Sequence, residues 1–206
     1  MDISFYGANA LALNTKTAKI LVDPVSSVGM STAKADILAL THEQEVKVKE
    51  DQLVISTPGE YEAKLVTFKG IAARAHMDEE GKKTATMYRI DIPEARIGIT
   101  GHIHPDLSDE QLEALGTLDV LIVPVGGNGY TLDAEGAARV ARAVEPKVII
   151  PTHYAQSDVK YEVPQAELQQ FLDEIGAPVE EQEKYKIKGD FPDQLTIITL
   201  KRADKA

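Results

Sequence analysis

A chain of 206 residues with 43% hydrophobic and 27% charged content lies in the range of ordinary globular proteins and is long enough for one domain with a sizeable core, here taken as residues 1–206. The net charge of −11 leaves no basic surface to displace counterions, which excludes nonspecific nucleic-acid binding. The absence of cysteine removes disulfides, thiolate zinc sites, iron–sulfur clusters and thiol nucleophiles together, and fits a reducing cytoplasm.

Met1-Asp2 leads directly into a strand-like run, without the basic and apolar regions of a signal peptide, and no apolar run reaches the roughly 18 residues of a membrane span. The first half reads as short strands broken by turns: Ile3–Tyr6, Leu11–Asn14, Lys19–Val22, Ile37–Leu40, Leu53–Ile55, Val66–Ala73, Met87–Ile92 and Arg96–Ile99. The charged stretch Asp78-Glu79-Glu80-Gly81-Lys82-Lys83 reads as a solvated hairpin tip. Ser108-Asp109-Glu110-Gln111 is a capping-box pattern that opens a short helix ending near Gly116. Val120–Val125 is a continuous apolar strand, the pattern of one covered on both faces. Leu132, Gly136, Ala137, Val140, Ala141 and Val144 recur at helical spacing. Lys147–Ile150 predicts a strand, Pro164 the first turn of a helix stopping at Gly176, and Leu195–Leu200 a closing strand. A strand-rich first half followed by alternating strands and helices predicts an α/β sandwich of two sheets back to back with helices outside.

Several predicted strands end on a polar residue. Leu21-Val22 is followed by Asp23, Leu38–Thr41 by His42, Ala73–Ala75 by His76, Ile99–Gly101 by His102 and Ile149–Thr152 by His153. One such histidine would be unremarkable, but four at equivalent strand ends point to a shared site on one edge of the sandwich. His104 follows His102 at a spacing that lets both face one side of an extended segment, yet Pro105 comes next, and we read it as a loop histidine.

In this order the chain resembles the metallo-β-lactamase superfamily over essentially its whole length, and within it the small hydrolases similar to ascorbate-6-phosphate lactonases. The phrases Thr57-Pro58-Gly59-Glu60-Tyr61-Glu62, Leu107–Leu112, Val123–Gly127, Tyr130–Asp133 and Pro151–Tyr154 carry the resemblance. It implies a four-layer αβ/βα sandwich, two mixed sheets flanked by helices. It also implies a metal-dependent hydrolase with ligands from a His-x-His-x-Asp-His loop, a later histidine, a bridging aspartate and a final histidine. This chain departs from that pattern: the loop reads His42-Glu43-Gln44-Glu45-Val46-Lys47, the bridging position is His102, and the family's early Gly-His is Gly7-Ala8.

Each departure weakens a two-metal centre. Neutral His102 gives a nitrogen to one metal and cannot bridge a pair as a carboxylate does. Gln44 is a poor zinc donor, Val46 has no lone pair, and an ammonium at Lys47 would repel a dication. The expectation is therefore a hydrolase-like protein without the two-metal site, holding no metal or little, with a non-catalytic or altered role. The alternative is a mononuclear hydrolase of a lactone, ester or phosphoester, with one zinc or another divalent transition metal held by His42, His76, His102 and His153. Asp23 either orients imidazoles or stabilises the turn before Pro24, and Lys47 either fills the second-metal position or swings into solvent; both are candidates for a catalytic role. Glu60 and Tyr61 belong to a family landmark and are candidates to line the cleft. The Gly126-Gly127-Asn128-Gly129 loop, with Asn128, offers groups for an anionic substrate. A small-molecule ligand is the expected partner, nucleic acid and membrane are not, and the resemblance admits a homo-oligomer.

Overall fold

A computed structural model describes residues 1–203. The runs of the first half form strands, and a further one, β6, appears between them: β1 (Asp2–Gly7), β2 (Ala10–Asn14), β3 (Lys19–Val22), β4 (Ile37–Ala39), β5 (Leu53–Ile55), β6 (Gly59–Ala63), β7 (Val66–Ala73), β8 (Ala85–Ile92) and β9 (Ala95–Ile99). The second half adds α1 (Asp109–Leu115), β10 (Val120–Pro124), α2 (Ala134–Val144), β11 (Val148–Thr152), α3 (Leu168–Ile175), β12 (Val179–Gln182), β13 (Tyr185–Lys186) and β14 (Thr196–Leu200).

The strands make two mixed sheets. One runs β13-β1-β2-β3-β4-β5 and the other β12-β14-β11-β10-β9-β8-β7-β6. In the first, β3, β4 and β5 are parallel; in the second, β9, β10, β11, β14 and β12 are parallel. Parallel strands deliver their C-terminal ends to one edge, and that is where β3, β4, β9 and β11 release Asp23, His42, His102 and His153.

Burial on both faces drives the assembly. Ile3, Phe5, Leu13 and Ile20 of one sheet meet Phe68, Tyr88, Ile97, Ile122 and Ile150 of the other in a common core. Burying each such side chain contributes about 1.5–3 kcal/mol. The outer face of the eight-stranded sheet packs Met87, Leu121, Ile149 and Ile197 against Leu115, Val140 and Phe171 of the three helices. Over the six-stranded sheet the cover is thinner. Val28, Met30 and Ala35, in or beside two 3-10 turns, lie with loop residue Val46 on Tyr6, Ala12, Leu21 and Leu38. The Tyr88 hydroxyl, wholly interior, donates to the carbonyls of Leu40 (2.8 Å) and Ile55 (3.0 Å), tying β8 to the ends of β4 and β5.

The capping box forms as the spacing predicts, with the Ser108 hydroxyl accepting from the Gln111 amide and the Gln111 side chain accepting from the Ser108 amide. Two expectations need correction. Helix α3 starts at Leu168 and not at Pro164, because the chain before it is held extended: the Ala166 amide donates to the Gly126 carbonyl (2.7 Å) and the Ala155 amide to the Ala166 carbonyl (2.9 Å). The charged tip is also more than solvated charge. The Asp78 carboxylate accepts from the amides of Ala75 and Thr84 and from the Thr84 hydroxyl, which fixes the turn. Among the described residues no helix is long and apolar enough to cross a membrane.

Candidate functional site

Beneath the strand-end residues lies a buried polar chain. Asp23, 1% exposed and in the left-handed region at φ 41°, accepts from four donors. These are the Asn9 amide group (2.5 Å), the Thr41 hydroxyl (2.6 Å), the Thr41 backbone N–H (2.7 Å) and the Gln44 amide group (3.3 Å). Asn9 in turn accepts from the Thr152 hydroxyl at 2.7 Å. Thr41 follows β4 in one sheet and Thr152 ends β11 in the other, so the carboxylate and Asn9 join the two sheets directly under the histidines. A carboxylate this deeply buried is tolerable only with such a set of donors.

Close backbone approach brings the histidines together. A Cβ on Gly101, whose φ is +63°, would sit 2.4 Å from Thr41 Cβ, so only glycine lets the end of β9 reach the end of β4. The next residues, His102 and His42, have ring centres 4.9 Å apart with planes at 87°. His153 stands at 4.7 Å and 89° on another side of His102. Its φ is +52°, its amide donates to the Ala8 carbonyl (2.8 Å), and Ala8 is itself at φ +50°. Left-handed backbone at three non-glycine positions costs on the order of 1–2 kcal/mol each, strain concentrated where the rings converge.

His42, His102, His153, Asp23, Asn9, Tyr130, Tyr161 and Gln165 face a cavity of about 200 Å³, with Lys160 and Glu162 also on its wall. Burial, and then the neighbouring His153, His42 and His76 rings, push the His102 pKa well below that of free imidazole. Burial likewise lowers His153, against an opposing hydrogen bond from Gln165. Both are neutral near pH 7. Tyr130 is raised by burial and by Glu162, and Tyr161 is pushed up to about 12 by burial, so both keep their phenolic protons.

The hydrogen-bond network also fixes tautomers. The Gln165 amide nitrogen donates to the Val163 carbonyl (2.9 Å), which leaves its oxygen, 3.1 Å away, to accept from Nδ1–H of His153. The Thr41 hydroxyl spends its proton on Asp23, so at 3.3 Å it can only accept from Nδ1–H of His42. In the neutral tautomer of each ring that this network selects, the lone pair is on Nε2. Both nitrogens of His102, 8% exposed, are buried without a hydrogen-bond partner among the described residues.

Other candidates fall outside this cavity. His76 lies beside His102 on a neighbouring segment, its amide donating to the His102 carbonyl (2.8 Å), but its ring is 6.3 Å from that of His104 and does not line the cavity. Burial lowers its pKa. Lys47 is exposed and lines a separate groove with Pro24, Met30 and Thr32, so its ammonium is not placed among the histidines. Glu43 and Glu45 point outward, Gln44 turns inward to Asp23, and Val46 packs on the outer core. Glu60 is an exposed residue of β6, and Tyr61 beside it bonds the Thr57 carbonyl (3.0 Å). Asn128 donates to the Pro164 carbonyl. Asn9, Tyr161 and Gln165 line the cavity although their sequence surroundings carry no motif.

The donor set does not fit a two-metal centre. The cavity's three convergent rings come with no free carboxylate to bridge two ions, since the buried Asp23 is committed to four protein donors, and among the described residues no three His, Asp or Glu side chains are arranged to enclose an ion.

Two back-to-back mixed sheets with helices outside and a histidine cluster at the C-terminal strand edge define the metallo-β-lactamase class of fold. A family model described as beta-lactamase superfamily domain matches residues 2–153, and the chain belongs to the metallo-β-lactamase superfamily. It is similar to a candidate Zn-dependent hydrolase of that superfamily from Thermotoga maritima, with TM-score 0.74 and 24% identity, covering 97% of this chain and 100% of that one. A candidate metal-dependent hydrolase from Parabacteroides distasonis gives TM-score 0.68 at 21% identity, covering 97% and 93%. Among curated sequences, a UPF0173 protein of Pyrococcus abyssi is 22% identical over 75% of this chain and 83% of its own length. A UPF0173 metal-dependent hydrolase of Thermoplasma acidophilum is 36% identical, but that match spans only 24% of this chain and 23% of the relative.

Proposed function

We propose that this chain is a metallo-β-lactamase-fold protein that has given up the two-metal site and uses the histidine cavity to bind a small molecule in an altered, non-hydrolytic role. The observation that carries this reading is the environment of Asp23 and His102: one carboxylate is bound up in protein hydrogen bonds, and burial holds the His102 imidazole neutral where the family resemblance would put a bridging aspartate. Without a bridging carboxylate the hydroxide held between two metals, on which that hydrolysis depends, has no support. The cavity instead presents the His42 and His153 imidazoles and Glu162 beside the Tyr130 and Tyr161 hydroxyls and Lys160, a lining of mixed donors and acceptors suited to a small polar ligand. We take the compartment to be the cytoplasm, on the cysteine-free composition.

A second reading is favoured by the two partnerless nitrogens of His102. As placed the three rings do not enclose an ion, but with their side chains re-aimed His42, His102 and His153 would hold a single zinc or similar ion, which would polarise a lactone, ester or phosphoester carbonyl or phosphoryl oxygen and acidify a bound water. This chain's own contribution would be to fix the imidazole tautomers through Thr41 and Gln165 and to orient substrate with the Tyr130 hydroxyl. The relatives named as metal-dependent hydrolases lend this reading its support.

Metal analysis of protein purified without chelator separates the two. The first reading expects metal well below one equivalent and no rise in melting temperature in excess zinc. Close to one equivalent, lost in His102→Phe, would establish the second. Two equivalents would overturn both.

A further inference from the structure

One wall of the cavity is a strap without helix or strand, residues 155–165, from which Val159, Lys160, Tyr161, Glu162 and Gln165 face inward. Its ends meet where the Ala155 amide donates to the Ala166 carbonyl (2.9 Å), so the segment is an Ω-loop closed at its neck. Inside, the Tyr161 ring lies 5.2 Å from that of His153, and the Tyr161 hydroxyl donates to the Tyr154 carbonyl (2.7 Å). At its outer turn the loop rests on bare backbone. A Cβ on Gly7 would come within 3.0 Å of Val159 and 3.3 Å of the Gln156 side chain.

Among the described residues the same outer turn has one ionic fastening, between Asp158 and Arg202. Arg202 follows β14 and is itself docked on β1, through a bridge to Phe5 and the Ala203 amide donating to the Phe5 carbonyl (2.7 Å). The guanidinium is mostly buried while Asp158 is mostly exposed, so the rigid partner belongs to the sheet and the movable one to the loop. Ties at the neck with a single polar tie at the far turn are the mechanical layout of a flap.

We propose that residues 155–166 form a gate over the histidine cavity, hinged at the Ala155–Ala166 neck and latched by Asp158 to Arg202. The gate controls access to His153 and does not depend on whether the cavity takes a metal or an organic ligand. Lys160 and Glu162 ride on it, so the polar groups first met by an entering ligand move with the gate.

Diethyl pyrocarbonate modification of chelator-treated protein, read histidine by histidine by mass spectrometry, tests this. Neutral imidazoles react when they become accessible, and a covered one reacts in proportion to the open population. His104, with its side chain 26% exposed and outside the cavity lining, is the internal reference. In Asp158→Asn and in Arg202→Gln, modification of His153, which is 5% exposed, is expected to rise about two- to five-fold relative to that reference, the size expected of one partly exposed ion pair. The exchanged pair Asp158→Arg with Arg202→Asp is expected to restore the parent rate. An unchanged His153 rate in both single variants, or an equal rise at all four of His42, His102, His104 and His153, would overturn the gate. Circular dichroism of each variant confirms the fold, and because Asp158 is at the surface its asparagine variant retains the test if the Arg202 variant does not fold.

Discussion

Replacing Asp23 with asparagine tests whether the polar chain beneath the histidines is a structural tie. The carboxylate accepts through both oxygens, from Asn9 and the Thr41 hydroxyl on one and from the Thr41 amide and Gln44 on the other. Asparagine keeps one acceptor and places an NH₂ against donors on the other side, while removing the charge that strengthens all four bonds. Hydrogen bonds to a charged group contribute about 1.5–3 kcal/mol each, and two are lost. The Thr41 hydroxyl can rotate to accept from the new NH₂, which recovers part, leaving a net destabilisation of about 2–4 kcal/mol. For a chain of this length that corresponds to a melting temperature lower by about 4–16 °C. Thermal unfolding followed by circular dichroism, in chelator so that no ion contributes, measures it directly. A drop under about 2 °C would show that the four bonds are not jointly holding the strand ends, and the structural argument for Asp23 would fall.

Gly101→Ala must fit a methyl 2.4 Å from Thr41 at φ +63°; we expect a loss of at least about 3 kcal/mol in urea unfolding, and a loss below about 1 kcal/mol would mean the ends of β4 and β9 are not in close contact. The chelator-treated protein should also weaken as pH falls from about 7 to 5. His76, His102 and His153 have folded-state pKa values below the unfolded value of about 6.5, so under that pH the unfolded chain binds protons that the folded chain refuses. Each group contributes a slope of up to about 1.4 kcal/mol per pH unit, and a flat stability profile across this window would contradict the neutral assignment.

Much of the architecture was legible because burial writes a pattern. Strands covered on both faces, such as Val120–Pro124, and a helix with a small-residue face, such as Ala134–Val144, announce themselves through apolar runs and spacing. Strands β6, β12 and β13 did not: Gly-Glu-Tyr-Glu-Ala, Val-Glu-Glu-Gln and Tyr-Lys are short and polar, β6 is defined by its hairpin with β7, and β12 and β13 are paired by β14 and β1, which are not their neighbours in the chain. The histidines at residues 42, 102 and 153 could be brought to one edge from strand-end logic alone. His76 could not be separated from them that way, since the same logic carries it to the edge but not into the cavity. Asn9 left no trace in the sequence because its partners Asp23 and Thr152 are 14 and 143 residues away. Lys47 illustrates the converse limit: a motif position does not fix where a side chain in an irregular loop will point.

The Thr152–Asn9–Asp23–Thr41 sequence of bonds crosses the seam between the sheets at one rim of the sandwich. At the opposite rim Met1, Thr15, Leu65, Ile92 and Pro93 surround a space of about 200 Å³, and the tip there turns through Lys64 and Leu65, both with positive φ. A two-leaved body bonded across one margin and open at the other parts from the open side first. The histidine end would therefore keep its shape through excursions that loosen the rest of the molecule, and residues there can be exchanged, metal ligands included, without unfastening the leaves.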